Sequence, residues 1–136
     1  MKYTSKSLKD TEKIAREFGK SLKGNEIICL VGDLGAGKTT FTKYLLSSLG
    51  VEEDVLSPTF ILRSDHKSKK GMVYHFDWYR MDNKEDLLGV DFFDTLYDGI
   101  VIIEWADKYI RILDDYKKIV INFEGKDNIR YIDIIR

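Results

Sequence analysis

Gly32-Asp33-Leu34-Gly35-Ala36-Gly37-Lys38-Thr39 is the stretch around which the rest of the chain is read. It fits G-x-x-x-x-G-K-[ST], the Walker A phosphate-binding loop. Its glycines let the backbone turn tightly, so that successive N–H groups face phosphate oxygens. In such a loop Lys38 reaches the outer phosphates as a point charge and the Thr39 hydroxyl holds Mg²⁺. Both flanks suit the motif. Ile27-Ile28-Cys29-Leu30-Val31 is an apolar run that reads as a buried strand, and Phe41, Tyr44, Leu45, Ser48 and Leu49 recur at helical spacing after the loop. A helix that starts at the loop adds N–H donors and a favourable dipole for an anion.

Upstream, Tyr3 and Thr4 read as a short edge strand. Ser7-Leu8-Lys9-Asp10 opens a helix whose apolar face is Leu8, Ile14, Ala15, Phe18 and Leu22. Downstream, Gly50 stops the second helix and Pro58 bends the chain before a strand at 60–64. Residues 65–71 read as a polar turn and 72–77 as the returning strand of a hairpin. Two short helices follow, around Leu87-Leu88 and Phe92-Phe93, and then a fully apolar strand, Ile100-Val101-Ile102-Ile103-Glu104. A short helix is expected over 106–113. Strands at 118–124 and 129–134, separated by Gly125-Lys126-Asp127-Asn128, close the chain. The fold class that follows is α/β: one P-loop NTPase-like domain over residues 1–136, with a mixed, mainly parallel sheet, antiparallel edge hairpins and helices on both faces. Ligand is expected at the carboxyl ends of the parallel strands.

The 136 residues suffice for one domain, and the 43% apolar content suffices for its core. A net charge of −1 argues against binding nucleic acid through bulk charge, so no DNA partner is expected. The single cysteine, Cys29, lies in the buried strand and reads as a core hydrophobe. No apolar run approaches the ~20 residues of a membrane helix, and the polar start of the chain lacks a signal-peptide core. The reading is therefore a cytoplasmic protein without a membrane partner.

A phosphate loop needs a carboxylate from a neighbouring strand end to hold Mg²⁺ and to orient water. Asp77 and Glu104 both end apolar strands, and spacing alone does not divide the roles between them. Asn83-Lys84-Glu85-Asp86 and Asp86-Leu87-Leu88-Gly89 mimic guanine-reading motifs. They stand in the wrong order, however, and share Asp86. His75 reads as a structural strand residue, and His66, in the polar turn, is not expected to join it at a metal. Lys67, Lys69 and Lys70 read as a solvated loop tip, with contact to RNA phosphate or an acidic protein as the alternative. Trp78, Tyr79 and Trp105 follow the two acids, and Trp105, adjacent to Glu104, is the one assigned to the site or to a partner surface.

Taken in order, the Walker loop through Thr40, Ser57-Pro58-Thr59-Phe60, His75-Phe76-Asp77-Trp78-Tyr79-Arg80 and Ile103-Glu104-Trp105-Ala106 resemble the bacterial TsaE family, formerly YjeE. The resemblance runs over about residues 4–135, and Glu85 with Leu88-Gly89 extends it. It implies a Mg²⁺-dependent P-loop ATPase, weak alone and stimulated by partners. This ATPase supports tRNA threonylcarbamoyladenosine synthesis at the adenosine beside the anticodon. The implied partner is the TsaB–TsaD complex, which links the chain to tRNA only indirectly. Carried over by position, Asp33, Gly35, Ala36, Gly37, Lys38, Thr39 and Thr40 hold the nucleotide phosphates of ATP. Thr39 and Glu104 face Mg²⁺, Asp77 is a metal-side or water-orienting acid, and Thr59 approaches the γ-phosphate. Trp105 lies at the site or at the partner surface, and Arg130 and the Ser5 region lie near the nucleotide. Two departures stand out: Trp78 where the family more often has Leu, and a short tail ending at Arg136.

Two rival readings remain. A small-molecule kinase would need an acceptor pocket and a basic lid, and no Arg-rich lid is visible. A nucleotide-dependent binding module without hydrolysis would have no use for Asp77, Glu104 and Thr59 together.

Overall fold

The computed structural model describes residues 1–33, 36–51 and 62–136. A seven-stranded sheet runs through them in the order β1-β7-β6-β2-β5-β4-β3. Its strands are β1 (Lys2–Ser5), β2 (Ile27–Gly32), β3 (Arg63–Ser68), β4 (Gly71–Asp77), β5 (Ile100–Glu104), β6 (Ile119–Lys126) and β7 (Ile129–Ile135). The β6-β2-β5-β4 core is parallel, and antiparallel ladders join β7 and β1 at one edge and β3 at the other. The mixed α/β architecture expected from the sequence is thus the one observed.

Two helices, α1 (Leu8–Ser21) and α2 (Lys38–Ser48), pack on one face of the sheet. Ser7 caps α1 by accepting the Asp10 N–H at 3.1 Å, while the Asp10 carboxylate accepts the Lys6 N–H at 2.9 Å. Phe18, Phe41 and Phe123 stack edge to tilted edge and tie α1, α2 and β6 together. One core forms there with Ile28, Leu30, Ile102 and Ile121. Leu8, expected in that core, is instead 66% exposed, and Thr11 is buried in the helix face beside it. The Ser5 hydroxyl and Thr11 Oγ1 lie 2.6 Å apart and tie β1 to that face of the helix, while Leu8 stands on its first turn.

A second core covers the opposite face over β2, β5 and β4. It is built from α3 (Asp86–Gly89), α4 (Phe92–Thr95) and two 3₁₀ turns, Ala106–Lys108 and Ile110–Leu113. The turns stand where one short helix was expected. Trp78 is fully buried against Phe92 and Tyr109, so it belongs to this core. Cys29 is buried as expected, and burial pushes its thiol up to about 12. Asn83 to Asp86 form the turn that opens α3, with the Asp86 carboxylate accepting the Asp82 N–H at 2.9 Å.

The hairpin differs from expectation. Residues 65–68, read as loop, belong to β3, and the turn is only Lys69-Lys70. An edge strand needs few apolar side chains, so its polar sequence hid it. The lysine cluster is also used differently. Lys70 Nζ donates to the Gly19 carbonyl at 2.9 Å, to Lys20 O at 3.1 Å and to Leu22 O, completing the carboxyl end of α1.

Glu26, just before β2, accepts backbone N–H groups from Lys23, Gly24 and Asn25 at 2.7, 2.9 and 3.1 Å. Burial alone would push its carboxyl up, but these backbone donors together hold it below the usual glutamate range. A depressed folded-state pKa adds stability above the unfolded value of about 4.3. That stability is lost as pH falls through the lower folded value. Glu26→Gln is expected to cost about 1 kcal/mol at neutral pH, a figure kept low for a partly exposed group. Urea unfolding across pH checks this: the gap between the two proteins should close below the carboxylate range, and a gap independent of pH would contradict it.

Candidate functional site

The strand-loop-helix unit sets the site. β2 ends at Gly32, where an added Cβ would stand 2.4 Å from the Phe123 carbonyl oxygen, so only glycine lets β2 and β6 stay this close. Gly37 begins α2 in the left-handed region, φ 102°, which again favours glycine. Lys38 and Thr39 therefore occupy the first turn of a helix aimed at the carboxyl ends of β2, β5 and β4.

A cleft of about 390 Å³ opens over that helix start. Lys38 is only 5% exposed, and its Nζ donates to the Asp33 carbonyl at 2.9 Å and to the Gly32 carbonyl. The same ammonium lies 4.0 Å from the centroid of the Trp105 ring. Burial pulls Lys38 below the usual lysine range, while Asp107, Glu104, Asp33 and Asp77 push it the other way.

Glu104 and Asp77 are register neighbours on β5 and β4, so both carboxylates stand at the same end of the sheet. Glu104 Oε1 accepts the Thr39 hydroxyl at 3.0 Å. That bond takes the Thr39 proton and leaves the oxygen lone pairs of Thr39 open to a cation. Asp77 Oδ1 accepts the Tyr79 N–H at 2.9 Å in a tight turn. Trp105 holds a left-handed backbone, φ 60°, which costs a non-glycine residue about 1–2 kcal/mol. This turn carries the chain from Glu104 directly into the first 3₁₀ turn and sets the indole beside Lys38. Tyr79 stacks on it, with ring centroids 4.8 Å apart.

The cleft brings together Ala36, Gly37, Lys38, Thr39, Thr40, Asp77, Glu104, Trp105 and Arg130. The Arg130 side chain runs beside Gly37, whose added Cβ would meet Arg130 Cδ at 3.7 Å. Asp33 contributes its carbonyl to Lys38 but lines a separate depression with Val31, Asn122 and Glu124, not the cleft. Ser5 is buried and lies outside the cleft lining, with its hydroxyl shared between Thr11 and the Ser7 carbonyl. Gly35 and Thr59 lie outside the described residues.

Sequence reasoning missed the far wall, where Leu8, Thr11, Phe123 and Ile132 form a largely apolar surface opposite the acids. No sequence signal marks it, because four residues from three elements meet there only on folding. It also missed the buried His75 that faces Glu104. The spacing of His75 and Asp77, two apart on one strand, would have placed both on one face.

The family model described as "Threonylcarbamoyl adenosine biosynthesis protein TsaE" matches residues 5–132. The chain belongs to the TsaE family. Its relatives include the "tRNA threonylcarbamoyladenosine biosynthesis protein TsaE" of Rickettsia conorii. That protein is 35% identical over 127 residues, a match covering 93% of this chain and 72% of the relative. The protein of the same name from Aquifex aeolicus is 39% identical over 122 residues, covering 82% of this chain and 87% of the relative. Among solved structures, the YdiB protein of Bacillus subtilis superimposes with a TM-score of 0.72 at 27% identity, covering 97% of this chain and 82% of that one. Membership in the TsaE family connects the chain to tRNA threonylcarbamoyladenosine biosynthesis, as the motif resemblance implied.

Proposed function

We propose that the chain binds ATP with Mg²⁺ in this cleft. It hydrolyses the ATP as an accessory to tRNA threonylcarbamoyladenosine formation, acting with the TsaB–TsaD complex. The observation that carries the reading is Lys38 and Thr39 on the first turn of α2, with Glu104 from β5 bonded to Thr39. Lys38 exchanges its two backbone carbonyls for phosphate oxygens, and the loop amides and the helix end supply further N–H donors. The Thr39 hydroxyl and the Glu104 and Asp77 carboxylates are hard oxygen donors, which suits Mg²⁺. When bound, that ion neutralises charge on the phosphates.

Glu104 keeps the Thr39 hydroxyl oriented and stands ready for the metal side. Asp77, one strand further on, orients the attacking water and accepts its proton. The apolar wall of Leu8, Phe123 and Ile132 with Arg130 receives the nucleoside. Tyr79, 56% exposed beside Trp105, extends the rim of the cleft toward a partner surface.

The test is phosphate release from ATP by the purified chain, with and without the TsaB–TsaD pair from the same cell. Slow release that the pair accelerates is expected. Steady hydrolysis indifferent to the pair would overturn the accessory role. ADP formed together with a phosphorylated acceptor, instead of free phosphate, would make the chain a kinase.

A further inference from the structure

Glu104 is gripped from behind as well as from the cleft. His75 on β4 is fully buried, and its Nε2 lies 2.6 Å from Glu104 Oε2. The strand register explains the contact. His75 pairs with Ile102 and Asp77 with Glu104, so His75 sits one step deeper on the same face as both acids. Glu104, itself 2% exposed, thus has one oxygen on His75 and the other on Thr39.

The proton position follows from the second ring nitrogen. His75 Nδ1 is buried and has no hydrogen-bond partner among the described residues. A hydrogen on Nδ1 would be a buried donor without an acceptor, and it would also set two acceptor atoms, Nε2 and the carboxylate, against each other. The neutral ring with its hydrogen on Nε2 avoids both, leaving only a lone pair unpaired. A position filled for packing alone, between Val73 and the isoleucines of β5, has no use for such a ring.

We propose that His75 is a positioning residue. Its Nε2–H pins one Glu104 oxygen so that the other stays on Thr39, and the acid is held in the one rotamer that serves a divalent cation at Thr39. A glutamate at a cleft otherwise samples several rotamers, and ordering it costs free energy at each binding event. Partners behind a metal-side ligand typically change metal affinity about 10–100-fold when removed. The inference rests on the Mg²⁺–nucleotide reading of the cleft, and its test separates the two.

Two measurements decide it. In the ligand-free protein, long-range ¹⁵N–¹H spectra of the His75 ring are expected to show the Nε2–H tautomer, and the neutral Nδ1–H tautomer would overturn the proposal. In the second, calorimetry follows binding of a non-hydrolysable ATP analogue as Mg²⁺ is titrated. His75→Leu is expected to raise the Mg²⁺ needed for half-maximal enhancement about 10–100-fold while leaving metal-free affinity unchanged. His75→Gln, whose amide keeps an N–H donor near the Nε2 position, should restore most of the loss. A wild-type Mg²⁺ dependence in His75→Leu overturns the positioning role while the cleft reading stands. An equal loss in the Gln and Leu variants, following their melting temperatures, makes the residue structural only. Failure of the wild-type protein to bind the analogue in a Mg²⁺-dependent way removes the cleft reading and the role of His75 with it.

Discussion

Lys38→Ala is expected to weaken Mg²⁺–ATP binding about 10²–10³-fold. The ammonium is nearly buried and makes its two hydrogen bonds to loop carbonyls, at Gly32 and Asp33. On the proposed reading the ammonium exchanges these bonds for bonds to phosphate oxygens, which carry the negative charge that the loop carbonyls lack. Each such bond is worth about 1.5–3 kcal/mol, and two of them account for the loss. Alanine removes both along with the charge, and Arg130, whose side chain runs beside Gly37, makes no such bonds to the Gly32 and Asp33 carbonyls among the hydrogen bonds of the described residues. Calorimetry measures the affinity, and a thermal melt alongside shows whether the loop survives without its internal tie. A folded Lys38→Ala protein that binds ATP normally would end the phosphate-loop reading.

Glu104→Gln is expected to lower ATP turnover about 10²–10⁴-fold and to raise the Mg²⁺ needed for nucleotide binding, while metal-free nucleotide affinity stays within about threefold. The substitution preserves volume in a buried position. The amide, however, has one carbonyl oxygen where the carboxylate has two, and both carboxylate oxygens are in use, Oε1 by the Thr39 hydroxyl and Oε2 by the His75 ring, the donor there on the tautomer proposed above. One of them must then face an NH₂ group. The negative charge on the metal side is lost as well. Single-turnover hydrolysis together with equilibrium binding separates the two effects. Asp77→Asn, measured in parallel, tests the neighbouring acid, which receives the Tyr79 N–H and sits one strand over. Unchanged hydrolysis in both variants would remove these acids from the chemistry. If Asp77→Asn loses turnover and Glu104→Gln loses Mg²⁺ dependence, the two carboxylates divide the work as proposed.

Much of the fold was legible because its signals are local. The short apolar run Ile27–Val31, set before a Gly-rich loop, reads as a buried strand, and Ile100–Ile103 repeats the signature. Ser7 with Asp10 announced the start of α1, and Gly37-Lys38 announced that of α2. The misreadings share one cause. β3 is a polar edge strand, so composition described it as loop. Leu8 follows helical periodicity, yet its position on the first turn leaves it at the mouth of the cleft. Lys70 looked like a solvated charge because the carbonyls it bonds lie about fifty residues away in the chain.

From sequence alone came the phosphate loop, the strand-helix unit that carries it, the two strand-end acids and the family. The first three are patterns of neighbouring residues whose meaning is set by backbone geometry within a few positions, and the family follows from several such patterns taken in order along the chain. Only the tertiary structure decided which groups touch. The register between β4 and β5 set Asp77 beside Glu104 and brought His75 behind it. The pairing of β1 with β7 and of β7 with β6 brought Arg130 and Ile132 across to the loop, opposite an acid wall from the other half of the sheet. Strand order and register are settled by which apolar faces can be buried together. That is a property of the whole sheet, and no single stretch of sequence contains it.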